Sequence, residues 1–252
     1  MTSQKIAVIT GGGGGIGSAI AAKLVSQGWA VVIADHALAA ATAVADSCRA
    51  RGGTAEALAC DVTKSEDIRK LIAFALERFG AIDGFIANAG ISGLVTPLAE
   101  YPDDVFDSVI SVNLRGVFLC LKHALPAMRA GAGGSFVAMG STASIRGRAL
   151  VSAYVASKHA VLGLVRTAAM EYLDTNVRVN AVLPGPIHTA MMASINEMAA
   201  KRNPQGGGVL RATPAPYGKP EDIANTVAFL MSPDSSHMNG AALVVDAGNT
   251  VA

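Results

Sequence analysis

Two hydrophobic patterns alternate along the chain. Short apolar runs recur at Ile6–Thr10, Ala30–Ala34, Thr54–Cys60, Ile82–Ala87, Ser135–Met139, Val177–Leu183 and Ala242–Val245. Between them, apolar positions return every three or four residues. Unbroken apolar runs mark strands covered on both faces, and the wider spacing marks helices with one buried stripe. The order predicts an α/β fold: a doubly wound parallel sheet of about seven strands, flanked by helices in three layers, forming one domain over 1–252. Helices are expected at Ile16–Gln27, before Gly52-Gly53, from a Ser65 cap onward, from Pro102 to about Ala130, at Ser152–Leu173 and at Pro220–Met231. Residues 190–218 depart from the pattern. Met191, Met192, Ile195 and Met198 precede Pro204, Gly206-Gly207-Gly208, Pro214 and Pro216. They read as a short helix and a flexible loop, placed to act as a lid over a ligand.

Composition narrows the setting. The 252 residues are 51% hydrophobic and 15% charged, yet no stretch reaches the ~18 uninterrupted apolar residues of a membrane span. Met1-Thr2-Ser3-Gln4-Lys5 leads straight into a strand-like run, with no signal or transit segment. Cys48, Cys60 and Cys120 have neither disulfide nor metal spacing, and read as small buried apolar residues. A cytoplasmic location is expected. A net charge of +1 without a basic cluster argues against a nucleic-acid partner. No histidine pair has metal-ligand spacing with a supporting carboxylate, so no metal is expected.

The first strand runs into Thr10-Gly11-Gly12-Gly13-Gly14-Gly15-Ile16-Gly17, and a helix follows at once. Gly11, Gly15 and Gly17 allow a tight turn and close approach of backbone to phosphate. The helix start, at Ile16, offers unpaired N–H groups and a partial positive charge to a pyrophosphate. Asp35 ends the second strand, 18 residues after Gly17. Its carboxylate suits the adenine-side ribose hydroxyls and repels a 2′-phosphate, and no Arg or Lys lies in the glycine loop or directly after Asp35. NAD is therefore expected over NADP.

The second group of chemical residues is Ser141, Tyr154 and Lys158. Tyr154 is a candidate acid/base. A free phenol titrates near pH ~10, and Lys158, one helical turn later on the same face, would stabilise its anion. Ser141, at the end of the fifth strand, is placed to hold a substrate oxygen beside the tyrosine. Tyr-x-x-x-Lys is unspecific alone; the glycine turn gives it weight.

Thr-Gly-x-x-x-Gly-Ile-Gly followed by Tyr-x-x-x-Lys resembles the short-chain dehydrogenase/reductase family, over essentially Lys5 to Gly248. Ala87 and Asp246-Ala247-Gly248 depart from many members. The resemblance implies a Rossmann-type fold with three helices on each face. It places Asp61 and Val62 at the adenine and Asn88, Ala89 and Gly90 beside the cofactor. Pro184, Gly185, Ile187 and Thr189 would lie around the nicotinamide, and Lys158 would bond its ribose. The amide of Asn113 would hold a water that passes protons to Lys158. The implied activity is NAD-linked interconversion of a secondary alcohol and a ketone. A homotetramer is implied as well, with Asp103–Ala130 and Ser152–Leu173 supplying a four-helix interface.

The expected substrate pocket joins Ser141 and Tyr154 to Ser92, Gly93, Leu94, Ala143, Leu150, His188, Met191 and Met192. It is mostly apolar, which suits an apolar or cyclic secondary alcohol as the small-molecule substrate. Arg146 and Arg148 either face solvent or approach a polar substrate end. A 3-oxoacyl thioester reductase, a sugar or polyol dehydrogenase and a non-catalytic dinucleotide sensor are the alternatives.

Overall fold

The computed structural model describes residues 4–202 and 216–251. Pro204, Gly206–Gly208 and Pro214 of the expected lid loop lie outside them. The strands are β1 (Ile6–Thr10), β2 (Ala30–Asp35), β3 (Ala55–Ala59), β4 (Gly84–Ala87), β5 (Gly134–Met139), β6 (Val177–Pro184) and β7 (Ala242–Val245). They form one sheet in the order β3-β2-β1-β4-β5-β6-β7, with every pairing parallel. The sequence explains which strands lie inside. β1, β2 and β4 are buried at every residue, as their unbroken apolar runs require, whereas the edge strands β3 and β7 are only partly buried.

The helices are α1 (Gly15–Ser26), α2 (Leu38–Ala50), α3 (Ser65–Phe79), α4 (Asp103–Ile110), α5 (Gly116–Ala130), α6 (Ser152–Glu171), α7 (Ala190–Arg202) and α8 (Pro220–Met231). Each sheet face carries its own core. One packs Ile20, Leu24, Ile223 and Val227 of α1 and α8, with Ala41 and Ala45 of α2, against Ile9, Ile33 and Val137. The other packs Leu71 of α3, Leu125 of α5 and Val165 of α6 against Val32, Phe85 and Phe136. The stacked rings of Phe85 and Phe136 join β4 to β5 there, with centroids 5.2 Å apart.

Two local expectations are corrected. Ser65 is the first residue of α3 and not its cap; its hydroxyl instead meets Nε2 of His123 on α5 at 2.9 Å. The long helix from Pro102 to Ala130 is not regular. A π turn, Ser111–Arg115, separates α4 from α5 and contains Asn113. Such turns insert one residue into the helical repeat and frequently occur at functional sites.

Candidate active site

The chain order reverses between β1 and β4, so the crossovers after these strands leave on opposite faces. The strand ends there open a crevice, as the topology of doubly wound sheets requires. A cavity of about 630 Å³ fills it and is lined from the ends of β2 and β3 across to α6 and α7.

Its first wall is the glycine turn. Gly11 has φ +61°, a left-handed conformation, and a side chain there would strike Ala89 Cα at 2.7 Å. A Cβ on Gly17 would meet Gly11 O and lie 2.7 Å from Gly12 Cα. Only glycine lets the start of α1 come this close to the turn. Gly14 caps α1 without a side-chain bond, so the first-turn N–H groups are left for an anion. Asn88 fastens the floor: its Nδ2 donates to Thr10 O at 3.2 Å and Gly11 O at 2.9 Å, and its N–H donates to Thr10 Oγ1 at 3.2 Å.

Asp35 stands beside this turn, 8% exposed. Its carboxylate accepts from the N–H groups of Gly13 and Ala37, both at 3.0 Å, and meets His36 Nδ1 at 3.0 Å. One carboxylate thus orders the glycine loop and still lines the cavity. Beyond it lie Cys60, Asp61, Val62 and Thr63. The Thr63 hydroxyl, donating to Asp61 at 2.7 Å, helps hold that carboxyl below its usual range. Burial pushes the Cys60 thiol up to about 12, so it is an apolar wall and not a nucleophile. A glycine cradle, an uncapped helix start and a carboxylate at the far end fit a dinucleotide by shape and by charge.

At the other end Ser141, Tyr154 and Lys158 share one wall of the same cavity. Ser141 caps the short 3₁₀ turn Thr142–Ser144, with Oγ accepting from Ala143 N at 3.1 Å. Its hydroxyl proton remains available, and the hydroxyl lines the cavity together with Tyr154. Lys158 is 4% exposed; it donates from Nζ to Met139 O at 2.8 Å and lies 5.6 Å from the Tyr154 ring centre. Burial lowers the lysine to about 8. Burial also raises Tyr154, outweighing the nearby Ser141 hydroxyl and the Arg148 charge, both of which lower it. Desolvation of the anion is the larger effect. The phenol holds its proton at neutral pH and is a donor.

Asn113 is fully buried, and its amide is committed elsewhere than expected. Oδ1 accepts from Ile91 N at 2.8 Å; Nδ2 donates to Ile91 O at 2.9 Å and to Ser157 Oγ at 3.1 Å. Both amide protons are spent on holding the loop after β4 against α6, so neither is left to hold a water.

Gly11, Gly15, Ile16, Asp35, Asp61, Val62, Asn88, Ala89, Gly90, Ser92, Ser141, Tyr154, Lys158, Pro184, Gly185, Ile187, Thr189, Met191 and Met192 all meet the cavity. Gly17 and Asn113 lie behind its wall. Ala143 and His188 do not line it. Ala143 is buried in its turn, while His188 is exposed and tilts against Tyr217 with ring centres 5.1 Å apart. Gly93, Leu94 and Leu150 are also outside the lining. Residues not anticipated include Met139 and Gly140, which follow from the rule that strand ends line the crevice. Val151 joins them, and Ile195, of the segment read as a lid, lines the cavity one turn after Met191.

Residues 11–250 match the family model described as enoyl-(acyl carrier protein) reductase. A cyclohexanol dehydrogenase from Acinetobacter sp. (strain SE19) is 39% identical over 98% of this chain and 96% of that protein. The crystal structure of levodione reductase superposes with a TM-score of 0.93 at 34% identity, covering all of both chains. A xylitol dehydrogenase solved with NAD+ gives 0.92 at 33% identity, over 98% and 99% of the two chains.

Proposed function

The chain belongs to the short-chain dehydrogenase/reductase family, and we propose that it interconverts a secondary alcohol and a ketone with NAD(H). The observation that carries the reading is the convergence of Ser141, Tyr154 and Lys158 on one end of a cavity whose other end is the glycine turn and Asp35.

When bound, the nicotinamide supplies a hydride acceptor or donor. Gly11, Gly15 and Ile16 receive the pyrophosphate at the start of α1, and Asp35 receives the ribose hydroxyls. The relative solved with NAD+ supports that form of the cofactor, as does the carboxylate where a 2′-phosphate would otherwise lie. Pro184, Gly185, Ile187 and Thr189 fix the nicotinamide end against β6. The Ser141 hydroxyl orients the substrate oxygen. Tyr154 gives its proton to that oxygen during reduction and removes it during oxidation. The Lys158 ammonium, buried beside the ring, stabilises the phenolate left behind. Asn113 positions the Ile91 loop that walls the substrate.

Ile91, Val151, Met191, Met192 and Ile195 make an apolar substrate end. That lining, and a relative named for cyclohexanol, support a cyclic or apolar secondary alcohol. Methionines in such a wall adapt to irregular shapes. Residues 190–202 serve as part of the lid: Ile195 packs with Val95 and Val151, against Tyr154 itself. Half-exposed Phe106 and Phe118 on α4 and α5 and exposed Met170 on α6 supply an apolar surface for a homotetramer; a monomer by light scattering removes that part. No helix among the described residues is long and apolar enough to cross a membrane.

The test is NADH formation with NAD or NADP across aliphatic, cyclic, aromatic, hydroxyacid and polyol alcohols. NAD-linked turnover is expected, falling by about 10² or more in Tyr154→Phe with NADH binding kept. Undiminished turnover in the variant refutes the role given to the phenol.

A further inference from the structure

Among the described residues, the cavity lining holds one cationic side chain, Arg148, with no hydrogen-bond or ion-pair partner. Of the two arginines after Ser141, Arg146 turns away to the C-terminal tail, where its guanidinium donates to Asn249 O at 2.7 Å and to Asn249 Oδ1. Arg148 lines the cavity, half-buried, and makes no hydrogen bond or ion pair among the described residues. The other charged groups on the lining are committed or remote. Lys158 gives Nζ to Met139 O. Asp35, His36 and Asp61 stand at the ends of β2 and β3, on the far side of β1 and β4. Arg148 lies in the chain between Ser141 and Tyr154 and lines the cavity with both, and its charge lowers the Tyr154 hydroxyl.

A half-buried guanidinium with no acceptor among the described residues keeps its donors for a ligand. Its planar fork matches a carboxylate through two parallel bonds. A phosphate, carrying close to two charges, calls for further cationic donors, and the only other cationic side chain on the lining that this end offers among the described residues, Lys158, gives its Nζ to Met139 O. We infer that Arg148 is a specificity-determining residue that receives a carboxylate of the substrate. The preferred substrates are then hydroxy and oxo acids whose acid group lies across an apolar ring or chain from the reacting carbon. The inference rests on the alcohol/ketone reading above and deepens it.

Wild type and Arg148→Gln are compared, with NADH, on 4-oxocyclohexanecarboxylate and its neutral isostere 4-oxocyclohexanecarboxamide. Wild type is expected to favour the acid in kcat/KM. The glutamine variant is expected to lose that preference by about tenfold or more, chiefly through KM, the scale of one charge-assisted contact. Arg148→Lys retains part of the preference, as a point charge without the fork, and serves as the readout if the glutamine variant does not fold. Equal losses on both ketones overturn the inference, since Arg148 then acts through Tyr154 or through packing. Wild-type indifference to the acid overturns it too. No wild-type turnover of either ketone or of the alcohol panel, with NADH still bound, defeats the parent reading and this inference together.

Discussion

Replacing Lys158 with methionine exchanges function for stability, and pH separates the two effects. The side chain is 4% exposed, and burial takes it from an ordinary 10.5 to about 8. Below about pH 8 the lysine is charged in both folded and unfolded chains, and the folded state bears the full cost of burying the charge. Between about 8 and 10.5 the folded side chain sheds its proton first, so wild-type stability rises with pH. Above 10.5 both forms are neutral and the cost is gone. At about 1.4 kcal/mol per pH unit the whole effect is on the order of 3 kcal/mol. Methionine does not titrate and bears none of it. The bond from Nζ to Met139 O is lost in the variant, at about 1 kcal/mol, and that loss hardly varies with pH. Urea unfolding at pH 7 and pH 10 is the assay. The stability of Lys158→Met relative to wild type is expected to fall by ~2–3 kcal/mol between the two. A difference that stays flat with pH would show that the ammonium is not penalised by burial.

Asp35→Ala is expected to narrow the NAD-over-NADP ratio in kcat/KM by about tenfold or more. It also lowers stability by ~1–2 kcal/mol, because the N–H groups of Gly13 and Ala37 lose their acceptor; an unchanged cofactor ratio contradicts the ribose assignment. Asn113→Ala removes three hydrogen bonds of a fully buried side chain and is expected to cost ~2–4 kcal/mol, with hydrogen exchange accelerating at Ile91. Unchanged protection there disproves the clamp.

The strands were legible because a sheet buried on both faces needs runs such as Ala-Val-Val-Ile-Ala, which leave little room for error in register or extent. Helix ends were nearly as clear wherever Gly52-Gly53 or Pro220 punctuates them. The π turn was not, since Ser111-Val112-Asn113-Leu114-Arg115 continues the apolar spacing of a normal helix. What selects it is the long-range demand of Asn113 for both backbone groups of Ile91. The chemical residues were legible because a pyrophosphate cradle and a Tyr-Lys pair constrain spacing along the chain. The substrate wall was less so. Ala143 and His188 lie next to lining residues, and the direction of a loop side chain depends on turn geometry that no periodicity encodes. Arg146 and Arg148 make the same point: two positions apart in one loop, one binds the tail and the other faces the cavity.

The strand order also divides the molecule mechanically. Residues 6–59 suffice for β1, β2 and β3, and every later strand adds outward from the other side of β1. Within the sheet the two halves meet at β1 against β4, where Asn88 crosses from one to the other, and α1 packs on α8 across the same boundary. The crevice lies on that seam, with Asp35 and Asp61 on one half and Tyr154 and Lys158 on the other. A ligand reaching from end to end therefore touches both halves of the sheet at once. At a hundredfold excess over Kd it adds about 2.7 kcal/mol to the whole fold. The protein's lifetime is thereby tied to the supply of the molecule it works with.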